Sequence, residues 1–452
     1  MFHCYSFESK LDLPGIAAAL PDTYPYLLDS AAPGPLGEYS MLLRSAGEQL
    51  CLHAGGEISG PGHGEEFLPR LNHWYQQEQH TLKNDTGFPF AGGWFIYLAY
   101  ELAAEIEPVV EFPAANDGFP IAFATRCPAA ICSRPDQPGV LHLLAENAVI
   151  LDEMRLQIEQ LSGDDAGTAA DTPAGLVDMQ PDPPAMFEQA VGQIHEYILD
   201  GDVFQVNLSR GWHGNFSRAV SAEALYRSLR KSNPAPFAGL VRWGDYALMS
   251  SSPERLVHVN GSEVQSRPIA GTHPRGADQD SDRALRQELL AHPKERAEHI
   301  MLIDLERNDL GRVCRTGTVD VNELMVVESY EHVHHIVSNV RGVLRPGVTP
   351  VDVIRAVFPG GTITGCPKVR CMEIIAELEQ QGRSFYTGSF GYLGLDGSMD
   401  LNILIRSMLL HKKHISFRTG AGIVADSDPH TEVLETGHKA RGLLRALGKQ
   451  HA

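Results

Sequence analysis

Two pairs of glutamates in the 452-residue chain have the spacing of neighbours on one face of a helix. Glu295 and Glu298 lie three residues apart in "KERAEH". Glu432 and Glu435 have the same spacing in "TEVLETGHKA". One such pair is typical of a solvated helix face, but two pairs could converge on Mg²⁺, which takes one or two carboxylates and keeps its waters. A di-iron site is disfavoured because it needs Glu-x-x-His on two helices, and His299 follows Glu298 directly.

Two glycine-rich segments could bring free backbone N–H groups to an anion. "PGGTITGCPK" runs into a predicted helix with Pro367 in its first turn, and "RTGAGIVADS" contains Gly420 and Gly422. Backbone N–H groups at a helix start bind anions, and glycine lets the chain approach a ligand closely. The first segment resembles a Walker A loop, but Pro367 interrupts it before Lys368 and valine replaces the Mg²⁺-binding Ser/Thr, which excludes a nucleotide site. The alternative for each segment is a plain turn.

A third segment, "RPIAGTHPRG", combines basic residues with turn-forming ones. It places Arg267, Thr272 and Arg275 close together in a chain whose formal net charge is −20. An anionic substrate would be repelled by the molecule as a whole, so local arginines, N–H groups or a metal must bind it. The segment is therefore a candidate for part of an anion site.

Four further polar residues stand singly in the sequence: Glu254 in "SSSPERL", His335 in "EHVHHIVS", Tyr386 and Arg406. A glutamate after a strand is normally exposed, and His334 and His335 could alternate between core and solvent. Spacing alone makes none of them catalytic.

The local patterns predict an α+β fold with antiparallel sheets. Apolar residues separated by four, three and four positions predict a helix from Phe187 to Ile198 that ends at Gly201. Asn260-Gly261 predicts a hairpin of two strands within 246–272. Strands are also predicted at Tyr39–Leu43, Gly93–Tyr100, Val140–Leu144 and 204–210, and helices at 281–308 with a break near Pro293, after 368, and at 430–447.

Composition narrows the class of protein. The negative charge disfavours nucleic acid and anionic membranes as partners. The apolar runs are too short for a transmembrane helix, and "MFHCYSFESK" lacks the features of a signal peptide. Seven scattered cysteines argue against a disulfide framework, and Cys366 and Cys371 have no second pair to form a zinc site. We therefore expect a cytoplasmic protein.

Taken together, the segments resemble the chorismate-utilising enzymes over essentially all of residues 185–447. The segments that carry the resemblance are "QVNLSR", "SSPERL", "PIAGT", "KERAEHIMLIDLERNDLGRV", "VHHIVS", "FPGGTITGCPKVRCMEII", "MDLNILIR" and "GAGIVADS" through "LETGHKA". The resemblance implies an anthranilate-synthase-like two-layer antiparallel β-sandwich flanked by helices. It divides the chain into an N-terminal region at 1–160, a linker rich in Asp, Ala, Gly and Pro at 161–184, and a chorismate-binding catalytic region at 185–449.

The resemblance also implies roles for individual residues. Glu298 and Glu435 match direct Mg²⁺ ligands, with Glu295 and Glu432 behind them. Glu254 matches a catalytic acid and His335 an active-site histidine. The residues implied to contact chorismate are Gly271, Thr272, Thr362, Tyr386, Arg406, Gly420, Ala421 and Gly422.

Within the family, chain length and the "QVN" and "VHH" segments favour the aminodeoxychorismate synthases, with the anthranilate synthases as the alternative. Gln205 stands where related isochorismate synthases place a lysine that activates water, so it favours amination. Ala270 stands where aminodeoxychorismate synthases often place a nucleophilic lysine, and alanine there is typical of anthranilate synthases. A non-catalytic, effector-binding relative is a third possibility, which the intact acidic and basic residues disfavour.

The N-terminal half shows a weaker similarity, in "LLDSAAPGPLGEYSML", to the segment that binds tryptophan in both subfamilies. Ordinary sandwich packing is the alternative. No glutaminase domain with a nucleophilic cysteine is recognisable, so the resemblance implies a separate glutamine amidotransferase subunit that supplies ammonia. The residues that would line the effector site are Ser30, Tyr39, Ser40, Met41, Leu42, Pro236, Phe237 and Ala238.

Overall fold

The structure is a computed structural model. It describes residues 2–32, 37–79, 84–163, 176–276, 278–329 and 333–449. Within these ranges the strands form two sheets in which neighbouring strands are antiparallel, and helices flank the sheets. The predicted α+β class with a two-layer antiparallel sandwich is confirmed.

The described strands, in chain order, are β1 (His3–Glu8), β2 (Tyr26–Asp29), β3 (Ser40–Arg44), β4 (Gln49–Leu52), β5 (Ile58–Ser59), β6 (Gly93–Leu98), β7 (Ala122–Cys127), β8 (Ala129–Ser133), β9 (Val140–Ala145), β10 (Leu176–Pro181), β11 (Gln205–Phe216), β12 (Phe237–Trp243), β13 (Tyr246–Ser252), β14 (Arg255–Asn260), β15 (Glu263–Ser266), β16 (Ile269–Pro274), β17 (Asp320–Ser329), β18 (Val333–Val343), β19 (Gly365–Cys366), β20 (Ser389–Gly394), β21 (Met399–Asn402), β22 (Ser407–His411) and β23 (His414–Ile423).

The described helices are α1 (Leu13–Ala19), α2 (Phe67–Glu78), α3 (Ala148–Gly163), α4 (Pro184–Leu199), α5 (Ala222–Ser232), α6 (Gln279–Ala291), α7 (Pro293–Gly311), α8 (Pro350–Val357), α9 (Lys368–Glu379) and α10 (Pro429–Ala446), with 3-10 turns at Tyr100–Glu105 and Gly361–Ile363. The predicted break near Pro293 is confirmed. His292 ends α6 and begins α7, because a proline at a first helical position needs no N–H partner but cannot continue the preceding helix.

The first sheet has the strand order β1-β9-β8-β3-β2-β12-β13-β22-β23-β11-β10, with β19 also pairing with β11. The second has the order β16-β18-β15-β14-β21-β20-β6-β7-β4-β5, with β17 also pairing with β18. Strands from both sides of the predicted linker share each sheet. Much of that linker, 164–175, lies outside the described residues, and the region boundaries stay a prediction.

The two sheets pack face to face through large apolar side chains. The rings of Tyr26 in β2 and Phe95 in β6 stack with centroids 4.1 Å apart, so the faces of the two sheets are in direct contact.

Among the described residues, no helix is long and apolar enough to cross a membrane.

The segment 246–272 contains four strands rather than the two that we predicted. The Asn260-Gly261 hairpin joins β14 and β15 as expected, and Gly261 has the positive φ of +59° that such turns require. Our prediction did not use Pro253, which ends β13 in the first sheet before β14 starts in the second. Proline lacks the N–H group that a continuous strand would need.

Candidate active site

Glu254 and Arg406 occupy two neighbouring points at which the chain crosses from one sheet to the other. Glu254 lies between β13 and β14, and Arg406 lies between β21 and β22. Since β13 pairs with β22 and β14 pairs with β21, the two crossing segments run side by side. Backbone hydrogen bonds fix them, from Ile403 N to Glu254 O at 3.0 Å and from Ser251 N to Arg406 O at 3.1 Å.

The carboxyl group of Glu254 is buried and suited to hold a proton. The residue is 5% exposed, and its Oε1 has no hydrogen-bond partner among the described residues. Burial raises the pKa of Glu254 to about 7. Hydrogen bonds from the Thr362 hydroxyl and the Ile269 backbone oppose this effect, as does Arg406, whereas the nearby Glu306 carboxyl adds to it. A carboxylic acid that stays protonated near neutral pH can act as a general acid.

The guanidinium group of Arg406 is available to a ligand. The residue is half-buried, and within the described ranges no side chain or carbonyl accepts a hydrogen bond from it. Burial lowers the pKa of Arg406, while the charge of Glu254 acts in the opposite direction. Its φ of 52° lies in the left-handed region, which is uncommon for a non-glycine residue and is often found at functional sites. Such a group can bind a carboxylate through two parallel hydrogen bonds.

His335 lies in the interior rather than at the surface. His334 and His335 are 1% and 2% exposed, so the alternative in which they alternate between core and solvent is wrong. The reason is tertiary: β18 lies between β16 and β17 and is covered by α6 and α7. Burial, followed by the charge of Arg406, lowers the pKa of His335 to about 3, so its imidazole is neutral in the folded protein.

The arginines of the "RPIAGTHPRG" segment are bound within the protein. Arg267 pairs with Glu328 at 2.6 Å, and Arg275 pairs with Asp282 at 2.7 Å. Asp282 also lies 2.9 Å from the Nε2 atom of His334. These ion pairs therefore link the segment to β17 and to α6, and neither arginine is left as a free cation for an anionic ligand.

Gly271 lies between the segment and the first glutamate pair. Its φ is +67°, and a Cβ there would stand 2.8 Å from the Oε2 atom of Glu295, so glycine allows this close approach. The backbone of Thr272 pairs with that of His335. The side chain of Thr272 lies outside the described part of the structure.

In the fold, the segment "PGGTITGCPK" lies between Glu254 and β11. The hydroxyl of Thr362 is buried and faces the carboxyl group of Glu254. Two positions later, Thr364 O accepts a hydrogen bond from Asn207 N at 2.9 Å. The ammonium group of Lys368 pairs with Asp309, so it is held away from any ligand of the loop.

A second group of predicted residues lies on β11 and β23. The Nε2 atom of Gln205 abuts Gly422, where a side chain would collide with it, and its Oε1 is buried without a described partner. A Cβ on Gly420 would stand 2.7 Å from the hydroxyl oxygen of Tyr386. Burial raises the pKa of Tyr386 to about 12, so the phenol stays neutral. Ala421, between the two glycines, is fully buried.

A buried ionic network behind Tyr386 was missed in the sequence. Arg383 and Arg418 pair with Glu379 at 2.6 and 3.0 Å, and the guanidinium of Arg383 lies 5.7 Å from the centre of the Tyr386 ring. Glu379 also accepts hydrogen bonds from Ser209. The i, i+4 spacing of Glu379 and Arg383 was visible, but that spacing usually marks a solvated pair.

One member of each glutamate pair is related to a glycine of the candidate site, Glu295 directly and Glu435 through a lysine. Glu295 abuts Gly271, as described above. Glu435 pairs with Lys439 at 2.8 Å, and Lys439 donates to the carbonyl of Gly420 at 2.9 Å. In the described ranges, no group of three or more His, Cys, Asp or Glu side chains is close enough to hold a metal. The two glutamate pairs therefore do not form one such group there, and the metal assignment stays a prediction.

A cavity of about 290 Å³ lies between the sheets, and Glu254 is not among the residues that line it. The predicted effector residues that line it are Ser30, Tyr39, Met41, Pro236, Phe237 and Ala238. Ser40 and Leu42 do not line it: the Ser40 hydroxyl donates to Asp29 at 2.7 Å, and Leu42 is fully buried on the other face of β3. Arg255 and Asp400, paired at 2.8 Å, form part of the wall.

The family model described as chorismate binding enzyme matches residues 43–445, and the chain belongs to this family. An anthranilate synthase component I-like protein from Synechocystis is 41% identical over 98% of this chain and 88% of its own length. Aminodeoxychorismate synthase component 1 from Bacillus subtilis is 50% identical over 58% of this chain and 55% of its own length. Anthranilate synthase component 1 from Thermus thermophilus is 39% identical over 93% of this chain and 92% of its own length.

Solved structures support the same fold. Anthranilate synthase component I from Streptococcus pneumoniae superposes with a TM-score of 0.79 at 30% identity, covering 90% of this chain and 92% of that one. The menaquinone-specific isochorismate synthase from Escherichia coli has a TM-score of 0.74 at 19% identity over 99% and 95% of the two chains. The second similarity concerns the fold alone.

Proposed function

We propose that the chain is the synthase component of an aminodeoxychorismate synthase, which converts chorismate and ammonia to 4-amino-4-deoxychorismate for p-aminobenzoate and folate synthesis. The observation that carries the proposal is the buried Glu254 carboxyl beside the guanidinium of Arg406, which forms no ion pair with any described residue. The Glu254 carboxyl can protonate a departing hydroxyl, while the Arg406 guanidinium binds a substrate carboxylate. The 50% identity to the Bacillus subtilis enzyme over 261 residues supports the subfamily.

The proposed chemistry uses neutral ammonia as the nucleophile. A C–N bond forms as the C–O bond of the 4-hydroxyl breaks, and Glu254 gives its proton so that the hydroxyl leaves as water. The new ammonium group then loses a proton, which can return to the Glu254 carboxylate. Gln205, which is neutral, cannot act as the base that would activate water, and this favours amination over hydration.

Binding of chorismate would use the remaining candidate residues. Arg406 would bind one carboxylate, and the neutral imidazole of His335 would face the ring. The backbone and hydroxyl groups proposed to complete the site belong to Gly271, Thr272, Thr362, Tyr386, Gly420, Ala421 and Gly422.

Mg²⁺ is the proposed cofactor. Glu298 and Glu435 would hold it, with Glu295 and Glu432 behind them; the closeness of Glu295 to Gly271 and the link from Glu435 through Lys439 to the carbonyl of Gly420 support this role. A bound Mg²⁺ would neutralise the ring carboxylate of chorismate. The protein's own contribution is to hold the carboxylates on the rigid helices α7 and α10.

Two further molecules belong to the proposal. A separate glutamine amidotransferase subunit would supply ammonia. Tryptophan would occupy the cavity between the sheets, as an effector or a structural ligand, because that cavity combines apolar walls with paired charges.

An anthranilate synthase is the second candidate. Ala270 favours it, as do the full-length matches to the Thermus and Streptococcus proteins. Ala270 is buried on β16, one residue after Ile269, whose backbone faces Glu254. A nucleophilic lysine is therefore missing close to the proposed acid.

Product analysis separates the candidates. The purified chain is incubated with chorismate, Mg²⁺ and ammonium, and the products are resolved by chromatography and mass. We expect 4-amino-4-deoxychorismate, and a loss of roughly a hundredfold in turnover for Glu254→Gln. Anthranilate as the main product would replace the first candidate with the second, and no turnover at all would favour a non-catalytic relative.

A further inference from the structure

The buried guanidinium group of Arg383 joins separate segments of the candidate site, and the chemistry above gives it no role. The residue is 2% exposed. An arginine side chain carries five N–H donors in a fixed planar arrangement, and here each donor has its own acceptor. Two of the five go to the carboxylate of Glu379, at 2.6 and 3.0 Å. The other three go to three different parts of the chain.

These three acceptors lie in segments that carry proposed chorismate contacts. Nη2 donates to the carbonyl of Asn207 at 2.7 Å, on β11 next to β23. Nη1 donates to the carbonyl of Ile363 at 3.1 Å, directly after Thr362. Nη1 also donates to the hydroxyl of Thr387 at 3.4 Å, directly after Tyr386. One side chain therefore sets the relative positions of a strand, a loop and a turn of the candidate site.

The turn that carries Tyr386 needs such support from its surroundings. Ser384 and Thr387 have positive φ angles of 53° and 62°, a backbone conformation that is unfavourable for residues with a side chain. The Thr387 hydroxyl, which accepts from Arg383, donates in turn to the carbonyl of Tyr386 at 2.5 Å. The guanidinium group is thus linked to the backbone of Tyr386 through a single hydroxyl.

Residues from the N-terminal half hold Arg383 from the other side. Tyr100 and Glu101 lie in the 3-10 turn at Tyr100–Glu105. The centre of the Tyr100 ring lies 4.9 Å from the guanidinium carbon. The Oε1 atom of Glu101 accepts from the backbone N–H groups of Arg383 and Ser384 at 2.6 and 3.1 Å. Both the backbone and the side chain of Arg383 are therefore fixed without any substrate.

Resting on the proposed function, we propose that Arg383 is a positioning residue: its guanidinium group holds Tyr386, the loop at Thr362 and β11 in the arrangement that binds chorismate, so that little remains to be ordered when the substrate arrives. All five donors are used within the protein. Arg383 therefore acts through these neighbours and not by contacting chorismate.

The first test needs no substrate. Arg383→Lys keeps the charge but offers three donors, so it can satisfy at most three of the five acceptors. Backbone hydrogen exchange is followed by mass spectrometry. We expect faster exchange in the segments 360–366 and 384–388 of this variant, and unchanged exchange there in folded Arg383→Lys would overturn the proposal.

Arg418→Lys is the matched control for a buried arginine. Arg418 also pairs with Glu379, but its other hydrogen bonds in the described chain go to Ser209. We expect Arg418→Lys to lose stability while the segments 360–366 and 384–388 exchange as in the natural chain. Equally fast exchange of these segments in both variants would indicate general loosening and overturn the proposal.

The second test separates positioning from stability through chorismate binding. Calorimetry is performed with Mg²⁺ and without ammonia, so that the fitted number of sites reports the folded fraction and Kd reports the site in folded molecules. For Arg383→Lys we expect about one site per chain, a Kd raised roughly tenfold and a kcat/KM lowered about a hundredfold, the scale of a misplacement of about 1 Å. Fewer sites with the natural Kd would indicate a purely structural role and overturn the proposal.

A milder variant covers the case in which Arg383→Lys fails to fold. Thr387→Val removes only the hydroxyl between Arg383 and the backbone of Tyr386. We expect faster exchange in 384–388 and a kcat/KM lowered roughly tenfold, the scale of one lost hydrogen bond to a charged group. Natural exchange and turnover in folded Thr387→Val would overturn the proposal.

The tests separate this inference from the proposed function. If the natural chain does not bind chorismate, the proposed function fails whatever Arg383 does. If the natural chain binds and aminates chorismate and Arg383→Lys does so equally well, only the role of Arg383 fails.

Discussion

Glu254 and Arg406 lie at adjacent crossings between the two sheets, and each changes the ionisation of the other. The crossings adjoin because β13 pairs with β22 in one sheet while β14 pairs with β21 in the other. An acid and a cation that has no ion-pair partner in the part of the chain that the structure describes are thus held close together by the paired strands, and the predictions below depend on this arrangement.

Arg406→Met should weaken chorismate binding by roughly 10- to 100-fold, because a hydrogen bond to a charged group contributes about 1.5–3 kcal/mol. Binding is measured by calorimetry without ammonia, so that no reaction occurs. Arg341→Met removes a half-exposed arginine of β18 and should bind normally. Unchanged affinity in Arg406→Met would contradict its role as the carboxylate receptor.

Removal of one glutamate of the proposed metal site should nearly abolish activity. We expect Glu298→Gln or Glu435→Gln to weaken Mg²⁺ binding by about an order of magnitude or more, since Mg²⁺ takes only one or two protein carboxylates. Activity is titrated against Mg²⁺, and metal binding is measured separately by calorimetry. Glu188→Gln, on neighbouring α4, is the matched control. Full activity in excess EDTA would disprove the metal assignment.

The isolated chain should use ammonium salts but not glutamine. Its rate should rise with pH in ammonium buffer, because the neutral amine is the nucleophile. Glutamine should support turnover only after a glutaminase subunit is added. Product formation from glutamine by the purified chain alone would refute the separate subunit.

Ala270→Lys should lower turnover, because the buried position would have to take up a long cationic side chain close to Glu254. Ala270→Ser changes the volume little and serves as control. Intact-mass spectrometry during turnover shows whether a substrate adduct forms. We expect none on the natural chain, and an adduct there would reveal a nucleophile that replaces the lysine.

Acidification should destabilise the fold through His335. Its pKa falls from the ordinary 6.5 to about 3 in the folded protein, so below pH 6.5 the unfolded chain binds a proton that the folded chain does not. Stability is thus present above pH 6.5 and decreases as the pH falls, by about 2 kcal/mol at pH 5. The urea midpoints of His335→Gln should differ less between pH 5 and 7 than those of the natural chain. Exposed His430→Gln should retain the full difference.

The sequence alone was enough to predict the fold class and many of the local elements. The helix break at Pro293 and the hairpin at Asn260-Gly261 follow from backbone chemistry that operates within a few residues, so they are readable without the tertiary structure. The family was readable for a related reason. Its motifs are short segments that can be recognised from residue types and spacing alone.

Only the tertiary structure decided which charges are available to a ligand. Arg267 and Arg275 looked like anion receptors, but the fold pairs them with Glu328 and Asp282, whereas Arg406 has no acidic ion-pair partner in the described chain. Glu306 attracted no attention because a glutamate in a charged helix is normally solvated. Its burial beside Ser266 and Gly361 arises where α7 meets a strand and a loop far from it in sequence. Burial and long-range pairing determine ionisation, and neither has a short-range signature.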